Sequence, residues 1–282
     1  MESSLIVAPM NQNFELEPGK TYTGKITVAN SSDATSDLPY KVSVAPYSVL
    51  GEKYEADLTT MSNRSMLVDW ITIENAKGNL KPNESAEVNF TITVPETAPA
   101  GGQYASILIT EDTETAASQG LALSSVFEMA SLVYADVAGE TVREGEILEN
   151  NIPSFVTATP VKVDALIWNN GNVHEKATLV LEAKNLITGE TILPSEQVTG
   201  RYNETIMPET TRRTEYDIMD LPAVGVVRIS QTIYYNGETS VETQDVVILP
   251  VWFMGLIVIL VGVIIGGIVA IVKVRRKKRV VI

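Results

Sequence analysis

The chain has 282 residues, with 35 acidic and 21 basic side chains, one histidine and no cysteine. An apolar share of 45% with 20% charged residues is typical of a globular protein. The absence of cysteine excludes a disulfide framework, a zinc ribbon and thiol catalysis, and one histidine excludes a two-histidine metal site. Six basic residues lie at 273–279 and no acidic residue follows Asp245, so residues 1–272 carry a net charge of −20. So acidic a body is a poor candidate for nucleic-acid binding, because it would repel phosphates.

The first residues, MESSLIVAPMNQ, contain a five-residue apolar stretch from Leu5 to Pro9 and no basic residue before it. This stretch is too short for the apolar region of a signal peptide. The C-terminal segment described below predicts an exported body, which needs such a signal. We therefore expect that a native signal peptide has been removed and that Met1 is an artificial start.

Short runs of alternating apolar and polar residues recur throughout 1–249, separated by Asn, Gly, Pro or Asp turns. They include GKITVAN at 24–30, EVNFTITVP at 87–95, VKVDALIW at 161–168 and ATLVLEA at 177–183. A period of two residues indicates half-buried β-strands, and short strands at this spacing favour antiparallel β-sandwiches. Residues 47–70 lack the pattern and are predicted to form a long loop with some strand or a short helix.

A loose internal repeat divides the body into two domains. Residues 80–109 and 206–233 each contain a Pro-led turn, a strand, a Pro-Ala-x-Gly element and another strand. The polar, small-residue segment 111–120 is the predicted boundary, followed by a strand pair near 123–137 that opens the second domain. The sequence thus predicts an all-β fold with tandem immunoglobulin-like domains at 1–113 and 114–249.

Residues 251–272 form a stretch of 22 positions without a charge, long enough to cross a bilayer as a helix. We assign a transmembrane helix to 250–272 and a basic cytoplasmic tail to 273–282. By the positive-inside rule this places residues 1–249 outside the cell membrane as a single-pass ectodomain. The residues that determine this topology are Lys273, Arg275, Arg276, Lys277, Lys278 and Arg279. Gly262 and Gly266 have the small-xxx-small spacing that can pair membrane helices.

The ectodomain resembles the WxL-interacting protein family of Gram-positive cell surfaces. The segments that carry the resemblance are SLIVAPMNQNFELEPGKTYTGKITVANSSD, LKPNESAEVNFTITVPETAPAGGQYASILITED and VKVDALIWNNGNVHEKATLVLEAKN. The resemblance implies two Ig-like domains, a membrane helix and a basic tail. It further implies that the first domain binds cell-wall peptidoglycan and that the second contacts WxL-type surface proteins or host ligands.

Few residues suggest a binding site, and none suggests catalysis. Tyr40, Tyr47 and Tyr54 lie in or near the long first-domain segment, where they form either a recognition face or core and edge packing. His174 is interpreted as a solvated turn residue, and we predict no enzyme activity and no cofactor. The side-chain oxygens of five turn residues either bind calcium or only stabilise their own turns, and we favour the second interpretation. These turn residues are Asp33, Asp37, Asn169, Asn170 and Asn172.

Five Asn-x-Ser/Thr sequons occur in the body, and they would be glycosylated only in a host with the matching transferase. Their asparagines are Asn30, Asn63, Asn83, Asn89 and Asn203. Asn89 lies between Val88 and Phe90, which are predicted to face inward, so Asn89 should face solvent.

The leading functional hypothesis is a non-catalytic, membrane-anchored surface protein whose Ig-like domains attach to peptidoglycan or to surface proteins. An alternative is an accessory or structural subunit of a larger membrane or cell-envelope assembly. A third is a wall-acting hydrolase, for which the scattered carboxylates give no support.

Overall fold

The computed structural model describes residues 5–112, 128–193 and 201–279, and the side chains of its C-terminal helix as far as Ile271. The chain forms two compact units. Unit 1 comprises Met1–Gly145, Trp168–Glu175 and Ile206–Arg212, and unit 2 comprises Glu146–Ile167, Lys176–Thr205 and Arg213–Ile282. The prediction of an all-β protein with two Ig-like β-sandwiches and a C-terminal apolar helix is confirmed.

Unit 1 is built around two sheets. Its elements are β1 (Leu5–Ala8), β2 (Asn11–Leu16), β3 (Thr21–Asn30), β4 (Leu38–Pro46), β5 (Ser48–Leu50), β6 (Glu55–Asp57), α1 (Leu67–Trp70), β7 (Ile71–Ile73), β8 (Lys77–Leu80), β9 (Ser85–Thr93), β10 (Gly101–Glu111) and β11 (Glu128–Val137). One sheet has the strand order β1-β3-β9-β7, the other β2-β11-β10-β4-β8, and β5 and β6 form a separate hairpin. Residues 47–70 were predicted to form a long loop with some strand or a short helix, and they contain both, namely β5, β6 and α1.

Alternation of side chains builds the core of unit 1. Ile26 on β3 and Phe90 on β9 are fully buried from one sheet, and Ile107 on β10 and Val133 on β11 from the other. Their neighbours in sequence point to the opposite face, as the strand period requires. Asn89 is exposed between Val88 and Phe90, as predicted.

The first unit extends further along the chain than the sequence suggested. The sequence placed a boundary after residue 113 and assigned 123–137 to the start of the second domain. Instead, β11 pairs antiparallel with β10 from Thr110↔Glu128 to Gly101↔Val137, and β2 lies parallel on its other side. Because β11 contributes Val133, Ala135 and Val137 to the first core, unit 1 continues to Gly145.

Unit 2 also contains two sheets. Its elements are β12 (Gly145–Asn151), β13 (Phe155–Val156), β14 (Val161–Asn169), β15 (Glu175–Asn185), β16 (Thr191–Leu193), β17 (Arg201–Ile206), β18 (Thr210–Ile218), β19 (Gly225–Tyr235), β20 (Glu238–Ile248) and α2 (Val251–Arg279). The strand orders are β12-β14-β18 and β13-β20-β19-β15-β16, with β17 also paired to β15. Val163 from the first sheet packs with Leu181, Ile229 and Val246 from the second.

Candidate functional site

The three tyrosines that the sequence singled out do not lie together. Tyr40 is 4% exposed in the core of unit 1, where its ring covers Gly78, its register partner on β8. A Cβ at Gly78 would lie 2.5 Å from the Tyr40 hydroxyl, so the ring occupies the space that glycine leaves open. Tyr40 is therefore a packing residue, whereas Tyr47 and Tyr54 belong to a separate cluster.

That cluster, which we call the tyrosine cluster, consists of Tyr47, Tyr54, Tyr104, Tyr134 and Met207 in unit 1. The ring of Tyr134 packs edge-on against Tyr47 at 5.9 Å and Tyr104 at 5.7 Å between centroids. Burial raises the pKa of both Tyr104 and Tyr134, so these phenols stay neutral. Tyr104 and Tyr134 cannot be recognised as cluster residues from the sequence, because only the fold brings β10 and β11 beside the 47–54 segment.

Tyr54 is held by polar contacts at its hydroxyl and by a cation at its ring. Its hydroxyl accepts a hydrogen bond from the Met207 amide at 2.9 Å and is bonded to the Thr210 hydroxyl. The guanidinium of Arg212 lies 4.6 Å above the ring centroid, in cation–π contact. With its hydroxyl engaged and its ring covered, Tyr54 supports local structure and offers little surface to a ligand.

His174 lies against the same cluster, and its interpretation as a solvated turn residue is wrong. Its side chain is 12% exposed, and its ring lies 5.2 Å from that of Tyr134. Its Nδ1 is 3.4 Å from the Tyr104 hydroxyl and 3.3 Å from Asp136 Oδ1. The turn pattern around it hid this burial, because Trp168–Glu175 is part of unit 1 although its neighbours in sequence are not.

A pocket of about 210 Å³ opens beside the tyrosine cluster, lined by residues that include Tyr47, Tyr104, Arg64 and Glu209. Arg64 donates to the Asn172 carbonyl at 3.0 Å and to Glu209 at 2.7 Å. Because Glu209 balances the guanidinium charge, the pocket provides polar contacts without a net positive charge for an anion.

Among the five residues proposed as alternative calcium ligands, Asn169, Asn172 and Asp37 have side-chain oxygens bonded to the chain itself. Asn169 Oδ1 accepts the Gly171 amide at 2.8 Å, and Asn172 Oδ1 accepts the Val142 amide at 2.8 Å. Asp37 accepts a bond from Asn79 at 3.2 Å. These contacts favour the plain turn interpretation, because side-chain oxygens that cap backbone amides stabilise turns without metal.

Four of the five sequon asparagines are exposed, namely Asn63, Asn83, Asn89 and Asn203. Asn30 is different: it is 3% exposed, and its Nδ2 donates to the Ser36 carbonyl at 2.9 Å and to the Leu80 carbonyl at 3.1 Å. An attached glycan would replace one of the two Nδ2 hydrogens and break at least one of these bonds, so the burial of Asn30 disfavours glycosylation there.

Among the described residues, β20 has a long open sheet edge. On one side β20 pairs with all eleven residues of β19, but on the other it meets only the two-residue β13, at Val247 and Ile248. Residues 238–246 therefore have no neighbouring strand on the outer side within the described part of the chain. This edge cannot be recognised from the sequence, because alternation predicts a strand but not its partners.

The register identifies which backbone groups face outward. The Val247 amide donates to the Ser154 carbonyl at 2.9 Å, and the Leu249 amide to the Val156 carbonyl at 3.0 Å. Backbone groups alternate sides along a strand, so the amides and carbonyls of Thr239, Val241, Thr243 and Asp245 also face away from β19. These four alternate positions form an outward ladder without a strand partner, in which the Asp245 carbonyl accepts a bond from the Gln244 side-chain amide at 3.1 Å.

The side chains along the edge are acidic or neutral. Residues 238–248 include Glu238, Glu242 and Asp245 but no basic residue. Asp245 makes two bonds to Arg228 across the β19–β20 ladder, at 2.7 and 2.9 Å, which lower the pKa of its carboxyl. Val241, 60% exposed, lies in the middle of the open stretch.

β20 leads into α2 with no loop between them. The Leu249 amide is still bonded to β13, and the Pro250 carbonyl already accepts the amides of Phe253 and Met254 at 3.0 and 3.1 Å. Within α2, Val251–Ile271 is 21 residues long with a mean hydropathy of 3.0, enough by length and composition to cross a membrane. Of the described helices it alone meets this criterion.

Comparisons with known proteins add a distant likeness in fold. No family model and no curated protein match the chain. Among solved structures, a chaperone–tip adhesin complex of CFA/I fimbriae biogenesis is 13% identical at a TM-score of 0.41, covering 86% of this chain and 99% of that one. The class 5 fimbriae chaperone CfaA is 15% identical (TM-score 0.38; 87% and 100% covered). The E. coli chaperone DraB is also 15% identical (TM-score 0.39; 86% and 96% covered).

These findings overturn the family resemblance drawn from the sequence. The similar structures are described as fimbrial chaperones, and no family model supports a WxL-interacting protein. The resemblance rested on turn and strand patterns that many Ig-like domains share, since the same turn chemistry recurs in them. Attachment to peptidoglycan or to WxL-type surface proteins is therefore wrong, and an accessory role in an envelope assembly gains no support.

Proposed function

We propose that the protein is a non-enzymatic, single-pass membrane protein that binds an extended segment of another polypeptide. The segment would add as a strand to the open edge of β20. The observation that carries the proposal is β20 itself, whose outer side is unpaired over residues 238–246 and whose end continues directly into α2. One strand therefore supplies both the binding edge and the connection to the membrane.

Strand addition suits this edge because its polar backbone groups need partners. A long open edge is a template for another strand, and a bound strand gains main-chain hydrogen bonds that do not depend on its sequence. Thr239, Val241, Thr243 and Asp245 offer outward groups at alternate positions, and the exposed Val241 side chain provides an apolar contact at the centre.

The charge of the edge defines the chemistry of the partner. Asp245 is balanced by Arg228, but Glu238 and Glu242 remain on the strand, so a basic extended segment would be attracted and an acidic one repelled. The net charge of −20 over residues 1–272 would favour approach of the same partners. A second copy of β20 is disfavoured, because it would bring acidic side chains against acidic side chains.

The orientation in the membrane follows from the basic tail. Lys273, Arg275 and Arg276 begin a cluster that runs to Arg279, and such clusters stay on the cytoplasmic side. Both units would then lie on the opposite side, with the β20 edge close to the bilayer.

The test uses the full chain in detergent and a fluorescent peptide of alternating lysine and valine. The variant Val241→Pro removes one outward amide, which a solvent-facing edge tolerates because no ladder bond to β19 is lost. The control Val241→Thr keeps that amide. We expect Val241→Thr to bind like the wild type and Val241→Pro to bind at least about tenfold more weakly.

The charge requirement is tested by a matched peptide of alternating glutamate and valine, which should also bind at least about tenfold more weakly. Circular dichroism of both variants confirms that they fold. Equal binding of the lysine peptide by folded Val241→Pro and wild type would contradict strand addition. Association of the chain with itself, lost in Val241→Pro, would assign the edge to a second copy instead.

A further inference from the structure

Unit 2 has one end at which the chain passes into α2, and this end is defined by backbone pairing. Ile248 at the end of β20 lies opposite Gly225 at the start of β19. The Leu186 amide, just after β15, donates to the Val226 carbonyl at 2.9 Å, so the loop that follows β15 lies at the same level. Phe155 on β13 pairs with Val247. We call this the helix-proximal end.

Exposed apolar side chains of unit 2 concentrate at the helix-proximal end. Outside α2, eight large apolar side chains of the described part of unit 2 are exposed, and five of them lie here. They are Ile187 at 72%, Met219 at 62%, Phe155 at 48%, Leu186 at 39% and Val247 at 37%. Met219 belongs to the connection that enters Gly225, and Ile187 Cδ1 lies 3.5 Å from where a Gly225 Cβ would be. Leaving these five apolar side chains exposed to water is unfavourable, and an exposed apolar patch of this kind marks an interaction surface.

The connection to α2 holds this end near the helix entry. The chain is bonded to β13 through Leu249, and α2 begins at Val251, so Pro250 alone separates the two. Two residues of chain span at most about 7 Å. If α2 crosses a bilayer from Val251, the exposed side chains around the chain exit are brought to the level of the lipid headgroups.

We propose that the helix-proximal end of unit 2 rests on the bilayer surface, with Ile187, Met219 and Phe155 inserted at the boundary between headgroups and acyl chains. The inference rests on the membrane insertion of α2 in the proposed function. It extends the membrane contact from α2 to the helix-proximal end of unit 2. The bilayer is the one occupant held against this end by the chain itself, and burial there removes the apolar groups from water.

The contact is apolar and not electrostatic. Exposed charged side chains near this end are of both signs, namely Lys184, Arg228, Glu190, Asp220 and Asp245. A surface that bound anionic headgroups would instead have a basic excess. The contact therefore requires no anionic lipid, and uncharged phosphatidylcholine is sufficient.

Single-cysteine labelling tests the contact, because the chain has no cysteine of its own. An environment-sensitive nitrobenzoxadiazole dye is attached to Ile187→Cys or Met219→Cys in the full chain, reconstituted in phosphatidylcholine vesicles. The control Val241→Cys replaces a side chain that is 60% exposed. It lies seven residues before Ile248 on β20, about 23 Å away along the strand. A further label at Gly262→Cys, about 16 Å along α2 from Val251, is read with a nitroxide deep in the acyl chains and reports on membrane insertion of α2.

We expect blue-shifted emission and quenching by lipids with a shallow nitroxide for the labels at 187 and 219, and neither change at 241. Labels at 187 and 219 that match 241, while the label at 262 is quenched, would overturn this inference and leave the membrane helix intact. An unquenched label at 262 would refute membrane insertion and with it this contact. A blue shift at 187 and 219 that appears only after phosphatidylglycerol is added would also overturn the apolar contact.

Discussion

At the residue scale, Asp57 organises the turn that follows β6. Its Oδ1 accepts hydrogen bonds from the Thr59 amide at 2.9 Å, the Thr59 hydroxyl at 2.8 Å and the Thr60 amide at 3.1 Å. Bonds from Thr60 and Thr59 favour the charged carboxylate and hold its pKa well below the usual 3.8. These three bonds fix the turn that follows β6 within the 47–70 segment.

This pKa shift predicts how stability depends on pH. Because the folded pKa lies below the unfolded one, the contribution of Asp57 is complete above the unfolded value and is lost as the pH falls through the folded one. Urea midpoints between about pH 5 and pH 2 should therefore fall more steeply for the wild type than for Asp57→Asn. Thr59→Val, which removes one donor, should lie between them. Parallel curves for all three proteins would contradict the assignment.

Single side chains were only partly predictable from the sequence. Asn89 was placed correctly on the solvent face because its neighbours on β9 alternate with it. Asn30 and His174 look like surface turn residues in sequence, but contacts distant along the chain bury them. Tyr40 and Tyr47 are similar in local sequence setting, and only tertiary pairing separates the core residue from the cluster residue.

At the element scale, Arg213 connects the three strands of the smaller sheet in unit 2. From β18 it donates to Asp164 on β14 at 2.7 Å and to Glu149 on β12 at 2.9 Å. Its side chain is 24% exposed. The guanidinium thus separates two carboxylates that would otherwise repel each other, and it lowers the pKa of Glu149.

Arg213→Gln should lower the urea midpoint more than Arg228→Gln. Both variants remove one positive charge, but Arg228 pairs with the single carboxylate of Asp245 and is half exposed, where solvent screens the pair. The difference should shrink in high salt, which weakens the repulsion left between Glu149 and Asp164. A midpoint that falls equally in both variants would show that Arg213 does not bind the sheet together.

The strands themselves were largely predictable, whereas their partners were not. Alternation correctly marked β3, β9, β14 and β15, because one face of each packs on a core. Alternation does not show which sheet a strand joins. For this reason the sequence predicts β11 in the second domain, although it belongs to unit 1. The open edge of β20 depends on how short β13 is, and no property of β20's own sequence reveals it.

At the scale of the whole molecule, the separation of charge is the strongest signal in the sequence. The acidic body and the basic end lie on either side of a stretch that has no charged residue. Both the existence of α2 and the proposed orientation follow from composition alone, since hydrocarbon excludes charges irrespective of the fold around them. The division into units required tertiary contacts, because segments 168–175 and 206–212 join unit 1 from a distance in sequence.

Maleimide labelling tests the orientation in cells that produce the chain behind a cleavable signal peptide. Met61→Cys replaces a side chain in unit 1 that is 53% exposed, and Val281→Cys adds a thiol beyond the basic cluster. An impermeant maleimide should label position 61 in intact cells and position 281 only after permeabilisation. The reverse pattern would invert the topology, and labelling of both positions in intact cells would exclude a membrane span.

The passage from β20 into α2 also determines how a mechanical load would travel. A tethered polypeptide bound along β20 would pull in line with the strand, so its hydrogen bonds would be loaded together in shear and not opened one after another. Since Pro250 is the sole residue between the last β13 contact and the helix, there is little slack to absorb that tension. Traction on the partner would therefore reach the lipid-embedded segment almost directly.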